Sequence, residues 1–302
     1  MKWAAALAVL LLAQLPAMPA LAQSGQPPLP TLMTARAIAA LPAAKPDKIL
    51  RYGESAAQKI ELFLPRKREA DARLPVVALL GDSCFRREKA QPELLRAAAA
   101  AFIAKGFAVW SVDYRHIDEE GGGFPGTLTD VGAALNLIRA EAESHHLDAD
   151  RVVLFGHGTG GWLALWAAGR HQLATENPSR GANPLRPQGM LLAGGFTDLA
   201  AQGPLIDLHC GDGTVAGLSA GGEEAAPEMA LPPTRVPAIL LHGIYDDRAF
   251  PAIGLAHARR ARKTGDLAEI QLAPNAGHYE VIAPGTRAFS QALAAVARLA
   301  NR

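Results

Sequence analysis

The sequence predicts an α/β protein with a mostly parallel central sheet and helices on both faces. Three observations carry this. Short apolar runs alternate with segments of helical period through most of the 302 residues. The runs "LPVVALLG", "RVVLF", "GMLLAGGF" and "VPAILLHG" are apolar throughout, as strands buried between two helical layers must be. The composition, 49% hydrophobic and 20% charged, supplies enough apolar material for one large core.

Residues 1–22 read as a separate object. Met1-Lys2 is a short cationic start, and residues 4–15 are an apolar run too short for a comfortable membrane span. Ala20-Leu21-Ala22 is an A-x-A cleavage signal. The expectation is an export signal cut after Ala22, leaving a periplasmic or secreted protein. Residues 23–47 carry many Pro and Ala and little periodicity, and read as a leader arm along the surface.

Residues 48–302 read as one domain. "KILRYG" and "KIELFLP" are short alternating strands, expected to form a hairpin pair. "LPVVALLG" is a buried strand, and "PELLRAAAAAFIAKG" a helix stopped by Gly106. "FAVWSVDYR" is a strand. "TLTDVGAALNLIRAEAESHHL" is a long amphipathic helix, with His145-His146 at its solvated end. "RVVLF" is a strand feeding a glycine-rich turn, and "GWLALWAAGR" is the helix leaving it. "GMLLAGGF", "VPAILLHG" and "LAEIQLAP" are three more buried strands. "AIGLAHARRARKTG" and "TRAFSQALAAVARLA" are helices. Residues 197–233 break the rhythm. They are too long for a plain connection and too rich in Gly, Pro and acidic residues for a core element, so they read as a cap or lid.

Thirty basic against 29 acidic residues leave a net charge of +1, which excludes a nucleic-acid partner held by one-signed charge. After the first 22 residues no segment is apolar enough for a membrane span. The nine His are scattered, and no His/Cys spacing matches a metal site or calls for a cofactor. The two cysteines, Cys84 and Cys210, allow one disulfide in an oxidising compartment. The sequence leaves a disulfide and two buried thiols equally open.

The chemistry lies in the turn "GHGTGG", residues 156–161. It formally fits the dinucleotide fingerprint G-x-G-x-x-G between a strand and a helix. Its place argues against that use. The fingerprint belongs to the first strand of its fold, with an acidic residue ending a second strand about twenty residues on. Here several strands precede it, and "QLATENPSRGANPLRPQ" is a polar loop where that second strand would end.

Four stretches in order support another reading. These are "GDSCF" (81–85), "GHGTGG" (156–161), "HGIYDDRAFP" (242–251) and "NAGHY" (275–279). From about Lys48 onward the chain resembles the alpha/beta-hydrolase superfamily, most of all its small esterases and kynurenine-formamidase-like (BD-FAE-like) members. Those carry an "HGG-C-W"-like stretch, a "G-H-S-A-G-G" nucleophile elbow, an "H-G-x-x-D" acid loop and a late "G-H" loop. The resemblance implies the alpha/beta-hydrolase fold. It also implies Asp246 as triad acid and His278 as base, with 81–85 and the backbone after the elbow as oxyanion-hole region.

At the nucleophile position stands Gly158, not Ser. A side chain there is held in a sparsely allowed conformation at a cost of about 1–3 kcal/mol, which glycine avoids. The turn is therefore expected to persist without its chemistry. A second departure lies in the oxyanion-hole region, Asp82, Ser83 and Thr159, where "GDS" replaces "HGG". An inward Asp82 carboxylate ~5 Å from an oxyanion would cost about 3 kcal/mol at an effective dielectric near 20. The sequence does not say which way Asp82 points.

The leading expectation is an exported esterase-like protein lacking normal serine-hydrolase activity, with a remnant pocket for a small acyl or aromatic ligand. The alternative is an active ester or amide hydrolase. It would use Asp246 and His278 with water, or with a displaced nucleophile, Ser83 or Cys84.

Overall fold

The computed structural model describes residues 28–67, 72–219, 231 and 233–302. The export signal expected over residues 1–22 lies outside the described residues. So do residues 23–27 of the leader arm, and residues 220–230 and 232 of the expected cap.

Eight strands form one sheet: β1 Lys48–Arg51, β2 Lys59–Phe63, β3 Leu74–Leu80, β4 Ala108–Val112, β5 Leu147–His157, β6 Gly189–Ala193, β7 Ala238–Gly243 and β8 Ala268–Ala273. Their spatial order is β1-β2-β4-β3-β5-β6-β7-β8. β1 pairs antiparallel with β2 and β2 with β4, and every other neighbour is parallel. The hairpin and the parallel sheet are those the sequence predicts.

The pleat sorts one strand between two cores. Along β3, Val76, Ala78 and Leu80 face one cluster, and Val77 and Leu79 face the other. The first cluster is closed by helices α3 (Gly126–Glu141), α4 (Thr159–Gly169) and α7 (Pro251–Thr264), through residues such as Leu135, Trp162 and Ile253. The second is closed by α2 (Arg96–Ala104) and α8 (Arg287–Ala300), where Phe102, Phe289 and Val296 are buried. Each such side chain contributes roughly 1.5–3 kcal/mol by leaving water.

Four local differences from the sequence reading have physical causes. The leader arm contains a short helix, α1 (Ala35–Ala39). Thr34 caps it by accepting from Ala37 N at 3.2 Å, and Ile38 is buried in the second core. The strand before the turn starts at Leu147, earlier than its apolar run. Leu74 and Pro75 pair with Leu147 and Asp148, after which residues 149–151 bulge out. His145 is buried and paired with Glu141 at 3.2 Å, because the chain turns back at His146 (φ 54°) instead of fraying into solvent. β8 is an edge strand and mostly half-exposed, not a buried one.

In the region expected as a cap, α5 (Leu199–Cys210) and α6 (Thr214–Leu218) are described. Asp198 caps α5 by accepting from Ala201 N at 3.0 Å. No helix among the described residues is long and apolar enough to cross a membrane.

Candidate active site

The carboxyl ends of β3, β5, β7 and β8 converge, as open α/β sheets require of a ligand site. After β5 the chain turns sharply into α4 at Gly158, with φ 56° and ψ −123°. Glycine enters that conformation freely, whereas a side chain is strained in it. The Gly158 carbonyl accepts from Gly161 N and Phe196 N, both at 3.0 Å, which pins the turn. Two residues on, α4 packs so close to β3 that a Cβ on Gly160 would stand 2.1 Å from the Leu80 carbonyl oxygen. The sharp strand-to-helix turn thus stands with glycine at its apex.

Asp246 follows β7 and His278 follows β8. The buried Asp246 carboxylate accepts from Arg248 N and Ala249 N, each at 2.9 Å, and lies 3.0 Å from His278 Nδ1. The His278 loop is held by Glu280, which accepts from Met33 N and, at 2.8 Å, from Gly277 N. The His278 ring stacks on His157 with centroids 4.4 Å apart, and His157 Nε2 lies 3.1 Å from the His278 carbonyl. That contact requires Nε2–H on His157. Burial and the neighbouring His278 charge push His157 down to about 4, so it is neutral and structural. His242 is likewise held by the Ala249 carbonyl at 3.0 Å.

Asp82 points inward. Its Oδ1 accepts from Thr159 N at 3.0 Å and from Thr159 Oγ1 at 2.8 Å. Its Oδ2 lies 3.4 Å from His278 Nε2. A Cβ built on Gly158 would stand 2.3 Å from Asp82 Cγ and 2.6 Å from Oδ1. The carboxylate thus fills the space a serine side chain would need. It also takes the Thr159 backbone N–H at the head of α4. The anion at the mouth of α4 is the protein's own side chain.

This placement fixes the protonation of the site. Both His278 nitrogens face carboxylates, so both carry hydrogen in a satisfied network. Burial opposes the charge, but the hydrogen bonds and charges of Asp246 and Asp82 prevail and raise His278 to about 9. At pH 7 the imidazolium is therefore the prevailing form. Asp82 and Asp246 are held below the usual carboxylate range. In each, burial works upward and the His278 contact overrides it.

The two displaced-nucleophile expectations meet other partners. Cys84 is bonded to Cys210, so it is not a thiol. Ser83 Oγ shares a 2.8 Å hydrogen bond with the buried Tyr114 hydroxyl. Thr159 Oγ1 accepts from Ser83 N at 3.3 Å and Cys84 N at 3.1 Å while donating to Asp82, so it serves the loop rather than His278. Arg115, beside Tyr114, pairs with Asp130 at 2.8 Å as a strand-end ion pair. Trp162 and Trp166 are fully buried packing residues. Tyr114, as the partner of Ser83, had no signal in the sequence beyond its place at a strand end. Asp82, Ser83 and Tyr114 border a cavity of about 50 Å³ together with Leu95 and His116. Among the described residues, no group of His, Cys, Asp or Glu could hold a metal ion.

Residues 60–186 match the BD-FAE family model. Comparison with curated proteins gives no match. Solved structures with the same fold include esterase B from Lactobacillus rhamnosis, at 18% identity and a TM-score of 0.72, covering 88% of this chain and 90% of that one. A truncated carbohydrate esterase from gut microbiota gives 17%, 0.69, 86% and 98%. Propionate-bound Est2 of Thermogutta terrifontis gives 17%, 0.64, 83% and 92%. The strand order and these structural matches give the chain the alpha/beta-hydrolase fold, and its residues 60–186 are similar to the BD-FAE family.

Proposed function

We propose that this protein is an exported, esterase-like alpha/beta hydrolase that has lost serine-type acyl transfer. One observation carries the reading: the Asp82 carboxylate lies where a side chain at position 158 would lie. Three requirements of acyl transfer fail together. No hydroxyl is displayed at the elbow. The first oxyanion donor, Thr159 N–H, already holds an anion. His278, as imidazolium, has no lone pair with which to take a proton from a hydroxyl or a water. Ser83 and Cys84 do not restore the chemistry, since each has another partner.

Export through a signal cut after Ala22 is part of the proposal, and the Cys84–Cys210 disulfide supports it, since such bonds persist in oxidising compartments. The cavity beside Asp82 is the proposed place for a small acyl or aromatic ligand. Solved relatives bind such groups: esterase B has been crystallised inhibited by a tributyrin phosphonate, and Est2 with propionate.

The mature protein is expected to remain unlabelled by a serine-directed fluorophosphonate. Its turnover of p-nitrophenyl butyrate should lie about a millionfold below that of a working serine site. Labelling, or ester hydrolysis that disappears in His278→Ala, would overturn the reading.

A further inference from the structure

We infer that the cavity between α4, the start of α5 and the second half of α7 binds an uncharged, mainly apolar molecule of two-ring size that carries a hydroxyl group. The cavity holds about 410 Å³, and none of Asp82, Asp246 and His278 borders it. Thr234 and Asp266, which do border it, precede β7 and β8, whereas Asp246 and His278 follow those strands. It is therefore separate from the candidate active site and from the small cavity beside Asp82, and does not depend on the chemistry proposed there.

Volume and walls set the body of the ligand. Trp162 and Leu165 on α4, Leu199 on α5 and Ala261 on α7 make the walls largely apolar. Small-molecule sites of this kind span roughly 300–1,000 Å³, and an apolar cavity of about 150 Å³ already takes benzene. A molecule of two fused rings is the size that fits.

The polar groups set its oxygen, because most of them are already satisfied. Asp198 accepts from Ala201 N at 3.0 Å and pairs with Arg260 at 3.4 Å. Asp266 accepts from Thr234 N at 2.8 Å and Arg235 N at 3.0 Å. Thr264 Oγ1 donates to the Ala261 carbonyl and Thr234 Oγ1 to the Val236 carbonyl. Two groups are left over. The buried Trp162 Nε1–H and the His257 ring have no hydrogen-bond partner among the described residues. A buried donor left unpaired is costly, so a ligand oxygen that reaches it is favoured. The indole is a donor only, whereas a neutral imidazole has one donor and one acceptor. A hydroxyl matches that set, since its oxygen accepts from an N–H and its hydrogen goes to a ring nitrogen.

Charge of either sign is disfavoured. An anion would meet Asp198 and Asp266 against Arg260, the one Lys or Arg among the described residues that border the cavity. A cation would meet what His257 meets. Burial, with the Arg260 charge next, pushes that ring down to about 4 in spite of both carboxylates, so the cavity keeps even its own imidazole uncharged.

2-Naphthol is the probe, with 2-methylnaphthalene as its apolar analogue and 2-naphthoate and 2-naphthylmethylammonium as its charged ones. In calorimetric titrations of the purified protein at pH 7, 2-naphthol is expected to bind about fivefold more tightly than 2-methylnaphthalene. It should bind at least about tenfold more tightly than either charged analogue. Nuclear Overhauser contacts are expected from the naphthol ring to Trp162 and His257. Trp162→Phe keeps an aromatic ring and removes the N–H. It should weaken 2-naphthol about fivefold and 2-methylnaphthalene by less than about twofold. Equal weakening of both would overturn the inference. So would absence of binding, a charged analogue that binds as well as 2-naphthol, or contacts to Tyr114 instead, which would place the ligand beside Asp82. The wild-type contacts and analogue ratios decide the matter even where the variant does not fold.

Discussion

Gly158→Ser alone is expected to leave the protein unreactive to fluorophosphonate, whereas Gly158→Ser combined with Asp82→Gly is expected to gain both labelling and ester hydrolysis. In the single variant the new Cβ meets Asp82 Cγ at 2.3 Å, well inside any real contact. Either the carboxylate or the elbow must move, at a typical overpacking cost of about 1–3 kcal/mol. The elbow strain that glycine relieves adds about 1–3 kcal/mol more. If the serine were accommodated, Thr159 N–H would still hold Asp82, and His278 would still be charged by two carboxylates.

The second substitution removes all three obstacles. It clears the space, frees the Thr159 donor, and leaves His278 with Asp246 as its one carboxylate partner among those now facing it. Hydrolysis of p-nitrophenyl butyrate by the double variant should exceed that of the single variant by at least about a thousandfold and vanish on adding His278→Ala. Equal labelling of the single and double variants would show that Asp82 does not obstruct the elbow.

The second large effect concerns the bond that steadies the Asp82 loop. Cys84 lies two residues beyond Asp82 and is joined to Cys210 at the end of α5, 126 residues away. Cys84 and Phe85 both have φ of 53°, a region that side chains avoid, so the loop depends on its tertiary ties. In the chain-entropy view, a link across a loop of this length stabilises the fold by about 5 kcal/mol. Replacing both cysteines with alanine is expected to lower Tm by about 8 °C, measured by calorimetry on oxidised protein. An unchanged Tm would show that the link contributes little beyond the packing around it.

The fold was legible because its signals are redundant. "LPVVALLG" and "VPAILLHG" are too apolar for any strand but a buried one, and the stretches around 82, 158, 246 and 278 occur in an order that few topologies accommodate. Weak or competing signals account for the misses. Leu147 and Asp148 join β5 through pairing with Leu74 and Pro75, which no local pattern announces. "LAEIQLAP" reads as buried because its apolar residues are counted without knowing that β8 lies at the edge. Ile38 is one apolar anchor in a Pro-rich arm, and its burial depends on a surface made by distant strands.

At the site, the sequence shows two oddities, a missing side chain at 158 and a carboxylate at 82. Only the fold shows that they meet, the Asp82 carboxylate standing where a Cβ at 158 would stand. The joint departure from "HGG" and from serine was the available signal. The direction of one χ1 angle at Asp82 is set by Thr159 and His278, more than seventy residues away in sequence.

The charge state of His278 bears most directly on whether Asp82 occupies the place of the nucleophile. Ring ¹⁵N resonances followed by NMR from pH 5 to 11 report it without any substrate. His278 is expected to remain an imidazolium through neutral pH and to lose its proton near pH 9. In Asp82→Asn the midpoint should move downward, because one of the two carboxylates that hold the charge is gone. A His278 that titrates near its ordinary value in wild type, with the same midpoint in Asp82→Asn, would contradict the pairing on which both the loss of acyl transfer and the role of Asp82 depend.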